Sequence, residues 1–356
     1  MTRKYLILIV GGLLLAACSH IGPNTVPRDR FDYNTAVSDS WKEQTLLNIV
    51  KIRYADMPLF MEVASIVSGY TLESSVNLGG TIVDSDVVPD TLSLGAAGKY
   101  TDRPTITYAP ITGEHFNKNF MTPVPPHAVL FMLQAGWPAE IVLPLTLDAV
   151  NGLRAPKTAG AGQRIANADY YRVIELLDML QGSSAIGMRV LRDESGKQTT
   201  MVVIRRNNVS ADILAAQDEL AKLLGMRRGA KEYTVTFGEV AKSDTELAML
   251  TRSMLSMMVE LAGQITVPGE HVTEGRTVAS LVDTYAPDDV RRLMTIQHST
   301  DKPDDAFIAV RYKDYWFWIS DRDFHSKRIF AYLMILFSLT ESGGKEGLPL
   351  VTIPSG

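Results

Sequence analysis

Four side chains that could perform acid-base chemistry lie close together near the C-terminus: Asp321, Asp323, His325 and Ser326. A histidine beside a carboxylate can act as a general base, so this cluster supports a hydrolase as one hypothesis. The same residue types also cap helices, because short acidic side chains accept hydrogen bonds from the first backbone amides. An apolar helix is predicted directly after them, and we favour the capping interpretation.

Two other clusters contain the residue types of metal ligands. Glu270, His271 and Glu274 follow Pro268-Gly269, and this context favours a solvated loop over a metal site. The aspartates at 301–305 flank a proline in a predicted surface turn. Neither cluster has the spacing of a known metal motif, so we predict no metal.

Longer catalytic motifs do not occur in the sequence. It has no Gly-x-Ser-x-Gly elbow, no His-Glu-x-x-His and no phosphate-binding loop. With a single cysteine, thiolate metal clusters are excluded. Trp316 and Trp318 share one face of a predicted strand, where they could stack on a glycan, although core packing is the commoner use of tryptophan. We therefore predict no cofactor and no enzymatic activity.

The composition is that of a folded protein. The chain has 356 residues, of which 46% are hydrophobic and 21% are charged, and its formal net charge is −5. No basic block occurs, so a nucleic-acid partner is not expected. After residue 18 no apolar stretch reaches the roughly 18 residues that a membrane-spanning helix needs.

The single cysteine, Cys18, follows Leu15-Ala16-Ala17. Arg3 and Lys4 precede a short apolar core, which is the pattern of a signal peptide over 1–17. The four residues ending at Cys18 resemble the lipobox of bacterial lipoproteins. This resemblance implies cleavage before Cys18 and its acylation, and Ser19 in place of aspartate implies sorting to the outer membrane. The predicted partner of Cys18 is therefore membrane lipid, with the body in the periplasm.

The body is expected to have an α+β fold. We predict a tether over 18–39, then a region over 40–154 with a helix at 41–55, a β-hairpin and apolar helices. A linker at 155–163 is predicted to precede an α+β module at 164–300 and a C-terminal hairpin, apolar helix and tail at 301–356. Within the module, residues 245–262 are predicted to form a methionine-rich helix. The run from Phe330 to Phe337 is apolar all round, so we expect it to be buried or to lie in an interface.

Residues 63–109 contain the most unusual pattern of the body. Apart from Val67, Ser68 and Ser74, apolar side chains occupy alternate positions from Ala64 to Leu78, while small or polar ones fill the positions between. A second stretch, from Leu92 to Tyr100, alternates in the same way. A period of two predicts strands, and the polar stretch between them predicts a turn. Such a hairpin could lie on a soluble core, or hairpins from several copies could form a membrane pore. The second arrangement resembles the oligomeric outer-membrane lipoproteins of the curli-secretion type.

Two stretches of the body, Ser40-Trp41-Lys42-Glu43-Gln44 and Phe317 to Asp323, resemble an uncharacterised group of bacterial lipoproteins. That resemblance implies no activity. Our first hypothesis is a structural or assembly component of an envelope complex, acting as a homo-oligomer or with an envelope protein partner. The oligomeric pore and the hydrolase are the alternatives.

Overall fold

The computed structural model describes residues 26–67, 70–81, 91–159, 163–192, 198–280, 282 and 290–341. They form two compact units, one within 26–40 and 61–110, the other within 41–60 and 111–341. Helices and separate sheets occur along the chain, and the predicted α+β class is confirmed.

The first unit contains the predicted hairpin. Its strands are β1 (Met61–Val67), β2 (Tyr70–Thr81), β3 (Thr91–Asp102) and β4 (Thr105–Pro110). β2 pairs with β3 and β1 pairs with β4, both antiparallel. The predicted turn between β2 and β3 lies outside the described residues.

The first helix, α1 (Val26–Arg53), begins in the first unit and ends in the second. The predicted helix start near residue 41 was wrong, because the helix already includes residues 26–39 of the predicted tether. Ser40 and Trp41 both lie inside the helix. The first half of α1 is mostly exposed and lacks apolar periodicity, so the pattern did not indicate it.

The second unit contains the remaining elements. Its helices are α2 (Gly113–Phe116, continued by a π-helical turn at Asn117–Met121), α3 (Pro126–Gln134), α4 (Ala139–Thr146), α5 (Tyr170–Gly182), α6 (Ala211–Leu223), α7 (Met254–Gly263), α8 (Gly269–Thr273) and α9 (Phe324–Glu341). Its strands are β5 (Leu147–Val150), β6 (Leu153–Arg154), β7 (Ile186–Arg192), β8 (Gln198–Ile204), β9 (Glu232–Phe237), β10 (Glu246–Thr251), β11 (Gln297–Ser299), β12 (Ala306–Tyr312) and β13 (Tyr315–Ser320).

A six-stranded sheet forms the centre of this unit, in the order β6-β5-β10-β9-β8-β7. β9 and β10 are parallel, and the other neighbours are antiparallel. β5 and β6 precede the predicted linker at 155–163, whereas β7 to β10 follow it. The linker therefore does not divide the fold, because both sides supply strands to one sheet.

Two predicted helices were partly wrong in this sheet. The predicted helix at 245–262 is strand β10 followed by α7, and the apolar helix predicted from 139 to 150 ends at Thr146. β10 is buried on both faces: Leu247, Ala248 and Met249 are all at most 8% exposed. A strand covered on both sides shows a continuous apolar run instead of alternation, and such a run is easily taken for a helix.

The C-terminal part agrees more closely with its prediction. β12 and β13 form the predicted hairpin, and both connecting residues are left-handed, Lys313 with φ 46° and Asp314 with φ 69°. This is the backbone of a type I′ turn. The following α9 buries most of its apolar run, but Ala331 and Ile335 are exposed. Of the two predicted alternatives, full burial therefore does not hold within this chain, and an interface stays a prediction.

Candidate functional site

The strands of the first unit form two antiparallel ladders that share one register, and we call them together the ribbon. Partners follow a single register from Ser65 opposite Thr107 to Thr81 opposite Thr91, across the short gap between the two ladders. At about 3.3 Å per residue, β1 extends for about 23 Å and β2 for about 40 Å. The chain thus presents a long, two-stranded antiparallel element.

One face of the ribbon is polar. Glu73 lies opposite Lys99, and their charged groups are 3.8 Å apart on exposed side chains. Ser75 lies opposite Ala97 on this face, and Asn77 belongs to the next pair on the same face. Ser75, Ala97 and Asn77 are all exposed. Like cross-strand ion pairs in general, the Glu73–Lys99 contact favours this register over a shifted one.

The alternate positions form the apolar face. The register places Leu72 opposite Tyr100, Val76 opposite Ala96, and Leu78 opposite Leu94. Because successive residues of a strand point to opposite sides, these positions share the side away from Glu73 and Lys99. The ribbon is therefore amphipathic along its length.

The ribbon has two strand edges, and most residues of its strand β4 are exposed. Among the described residues no third strand pairs with either edge. In β4, Ile106 is 40% exposed and Tyr108 is 52% exposed. An isolated two-stranded ribbon is only marginally stable, and its unpaired amides and carbonyls are a template for further strands. We treat this ribbon as the candidate functional site.

The acid-base cluster near the C-terminus is a helix cap. The Asp323 carboxylate accepts hydrogen bonds from Ser326 N at 3.0 Å and Ser326 Oγ at 2.5 Å, at the start of α9. Asp321 accepts one from Lys327 Nζ at 2.6 Å. His325 is exposed. The capping interpretation is confirmed for Asp323, and the aspartates at 301–305 lie on the surface as predicted.

The predicted metal-type cluster is divided among different partners. His271 is 1% exposed, so the solvated loop was wrong for it, and its Nδ1 is hydrogen-bonded to the Tyr54 hydroxyl at 2.7 Å. Glu270 accepts a hydrogen bond from Tyr315, and Glu274 pairs with an arginine. Among the described residues no group of three or more potential ligands could hold a metal ion. Burial raises the pKa of Tyr54 to about 12.

The two predicted tryptophans lie on the outer face of the β11-β13-β12 sheet. Trp316 and Trp318 are half-buried, with Lys302 Nζ 5.3 Å from the Trp316 ring centre. The other face of β13 supplies the core through Phe317 and Ile319, which have no exposed surface. The buried core of this sheet is therefore not built from the tryptophans.

A buried polar network was not predicted from the sequence. The Glu260 carboxylate on α7 is 3% exposed and accepts hydrogen bonds from Thr158 N at 3.0 Å and Thr158 Oγ1 at 2.6 Å. Gln264 donates to the same carboxylate at 3.2 Å. This network fixes the segment after β6 against α7. Its partners are 102 residues apart, and no local pattern marks such a pair.

Comparisons with known proteins found no match for this chain among protein-family models, curated proteins or solved structures. None of the described helices has the length and apolarity needed to cross a bilayer. Cys18, the signal segment at 1–17 and the C-terminal tail at 342–356 lie outside the described residues.

Proposed function

We propose that this protein is a lipoprotein of the bacterial outer membrane that builds an oligomeric envelope assembly through its ribbon. Acylated Cys18 anchors it, and its body lies in the periplasm. The observation that carries the proposal is the amphipathic ribbon, beside which no third strand lies in the part of the chain that the structure describes.

The chemistry of an open edge favours a second copy as the neighbour. Edge strands gain backbone hydrogen bonds when another strand is added beside them. In a ring of identical copies, every ribbon offers the same register and the same two faces, so the polar and apolar surfaces stay continuous from copy to copy. The lipid anchor holds all copies in one plane, which raises their local concentration.

The first test is the native mass of the mature protein, extracted from membranes in mild detergent. A defined oligomer is expected, and a monomer would refute self-assembly. Cys18→Ser provides the separate test of the anchor, since it should release the protein from the membrane fraction. Membrane association that persists in this variant would contradict acylation as the means of attachment.

The chain offers a matched pair of variants for the ribbon. Ala96 and Ala97 are adjacent in β3, and their positions belong to opposite faces. Ala96→Asp places a charge on the apolar face and should abolish the oligomer, whereas Ala97→Asp, on the exposed polar face, should preserve it. Equal behaviour of the two variants would refute the role of the faces.

A membrane pore is the second candidate function, and the length of the apolar face favours it. The positions from Tyr70 to Gly80 extend for about 33 Å, or about 25 Å along the membrane normal at the usual tilt, which is the height of the apolar band of outer-membrane pores. Leu94→Arg should then prevent insertion, at a cost of about 2–4 kcal/mol per copy. Conductance in planar bilayers distinguishes the candidates, because a scaffold conducts no ions.

A further inference from the structure

The second unit contains a large apolar cleft between two helices and the six-stranded sheet. It encloses about 660 Å³ of space free of protein atoms, including its open mouth. Its walls come from α3, α5, β7 and the central strands, and include Leu130, Leu133, Leu177, Met188, Val202 and Leu247. The cleft therefore offers an apolar, partly open space beside the sheet.

The lining offers almost no polar group to a ligand. Gln134 and Gln181 are its polar side chains. The Gln181 amide is already used, since its Oε1 accepts from Ala139 N at 2.9 Å and its Nε2 donates to Leu133 O and Trp137 O, both at 2.7 Å. Water inside would find too few partners, and apolar cavities of this kind stay dry or hold apolar molecules.

The cleft has a distinct floor and mouth. Leu143, Leu147 and Met249 line it and are at most 2% exposed, so they form the floor. Gln134 and Gly187 also line it but are exposed, which places the mouth beside β7, at the edge of the sheet. A ligand can therefore have a buried apolar part and a polar end that stays in water.

We propose that this cleft binds one acyl chain of a lipid, with the head group at the mouth. A peptide segment is disfavoured because its backbone amides and carbonyls would be buried without partners among these side chains. A hydrocarbon chain has no such groups, and its uncharged surface matches the uncharged lining. The acyl chain could come from a free fatty acid or from a phospholipid. This inference does not depend on the ribbon or on oligomerisation.

The test is a titration of the full chain, held in amphipol, with the fluorescent fatty acid parinaric acid. Empty amphipol supplies the background. Saturable binding of one probe per chain is expected, and its absence would overturn the proposal. Competition with palmitate and with a lysophospholipid identifies the source of the chain: the better competitor marks the preferred lipid, and failure of both would also overturn the proposal.

Two tryptophan substitutions on the same strand provide the matched control. Met188→Trp fills the cleft, while Val190→Trp changes a residue of β7 that is 48% exposed and does not line it. Met188→Trp should weaken binding about tenfold, the factor expected when roughly two methylene groups lose their burial. Val190→Trp should bind like the wild type. Equal affinity of the two variants would overturn the site.

A milder variant keeps the proposal testable if Met188→Trp does not fold. Leu177→Phe enlarges a half-buried residue on the opposite wall, in α5, and circular dichroism establishes that each variant is folded. A folded Leu177→Phe variant should also bind more weakly than the wild type. Unchanged binding in this variant would place the probe elsewhere and contradict the proposal.

Discussion

Gly263→Ala is expected to destabilise the second unit strongly, although helices usually gain from this change. Gly263 is the last residue of α7. A Cβ atom there would lie 2.6 Å from Thr158 Oγ1, 2.7 Å from Ala159 Cβ and 2.8 Å from the Thr158 carbonyl carbon. Two of these atoms cannot move by side-chain rotation, so the backbone at Thr158 must shift.

The size of the effect follows from what Thr158 holds. Both its amide and its hydroxyl donate to the buried Glu260 carboxylate. A hydrogen bond to a charged group contributes about 1.5–3 kcal/mol, and overpacking costs about 1–3 kcal/mol. The gain in helix propensity is at most about 1 kcal/mol. We expect a net loss of about 2–4 kcal/mol, which lowers the thermal midpoint by at least about 5 °C.

Gly182→Ala is the matched control. Gly182 is likewise the last residue of its helix, α5, but a Cβ atom there would meet nothing within 4 Å. This variant should be as stable as the wild type or up to about 1 kcal/mol more stable. Urea and thermal unfolding of the three proteins provide the comparison. If Gly263→Ala proved as stable as Gly182→Ala, the contact between α7 and the Thr158 segment would not have the rigidity that we infer.

Three further predictions concern pH, the α9 cap and the ribbon. Because the pKa of Tyr54 rises from 10 to about 12 on folding, its contribution of up to about 3 kcal/mol is complete below pH 10 and is lost as pH rises through 12. Tyr54→Phe should flatten this alkaline decline in urea unfolding, and an unchanged slope would exclude Tyr54 as its source. Asp323→Ala should lower the free energy of unfolding by about 1–2 kcal/mol, because the α9 cap is lost. Asp321→Ala should lower it by less than about 1 kcal/mol, because only an exposed ion pair is removed. Equal losses of stability in thermal unfolding would contradict the capping role. Deletion of Ala64, which has no partner in the β1–β4 ladder, should preserve the oligomer in native mass measurements. Deletion of Ser75, which is paired with Ala97, shifts the register and should abolish the oligomer. The reverse result would disprove the register.

The sequence predicted best those elements whose local residue pattern matches their surroundings in the folded protein. The ribbon strands alternate because each face of a two-stranded element has one kind of surroundings. The β12–β13 hairpin has a two-residue connection, Lys313-Asp314, and two-residue loops demand left-handed backbone. The Ser210 cap of α6 is another local signal, since its side chain accepts from Ile213 N at 3.4 Å.

The sequence failed where distant partners decide the structure. β10 is strand and not helix because β9 and β5 pair on its two sides, and its apolar run carries no period that reveals this. The Glu260–Thr158 network and the Tyr54–His271 hydrogen bond join residues far apart in the chain. The apolar cleft is likewise a property of how α3 and α5 pack on the sheet, and none of its lining residues is unusual in sequence.

A single bulge keeps the apolar face of the ribbon continuous. Val63 lies opposite Tyr108 and Ser65 lies opposite Thr107, so Ala64 is the extra residue. The apolar residues before it, Met61 and Val63, occupy odd positions, and those after it in β1 and β2, apart from Val67, occupy even positions. Without the bulge this change of parity would put Val63 on the polar side. The alternation of the sequence is therefore interrupted at the same residue as the strand pairing. Both kinds of pattern define the same amphipathic surface, which is the property that self-assembly through the ribbon requires.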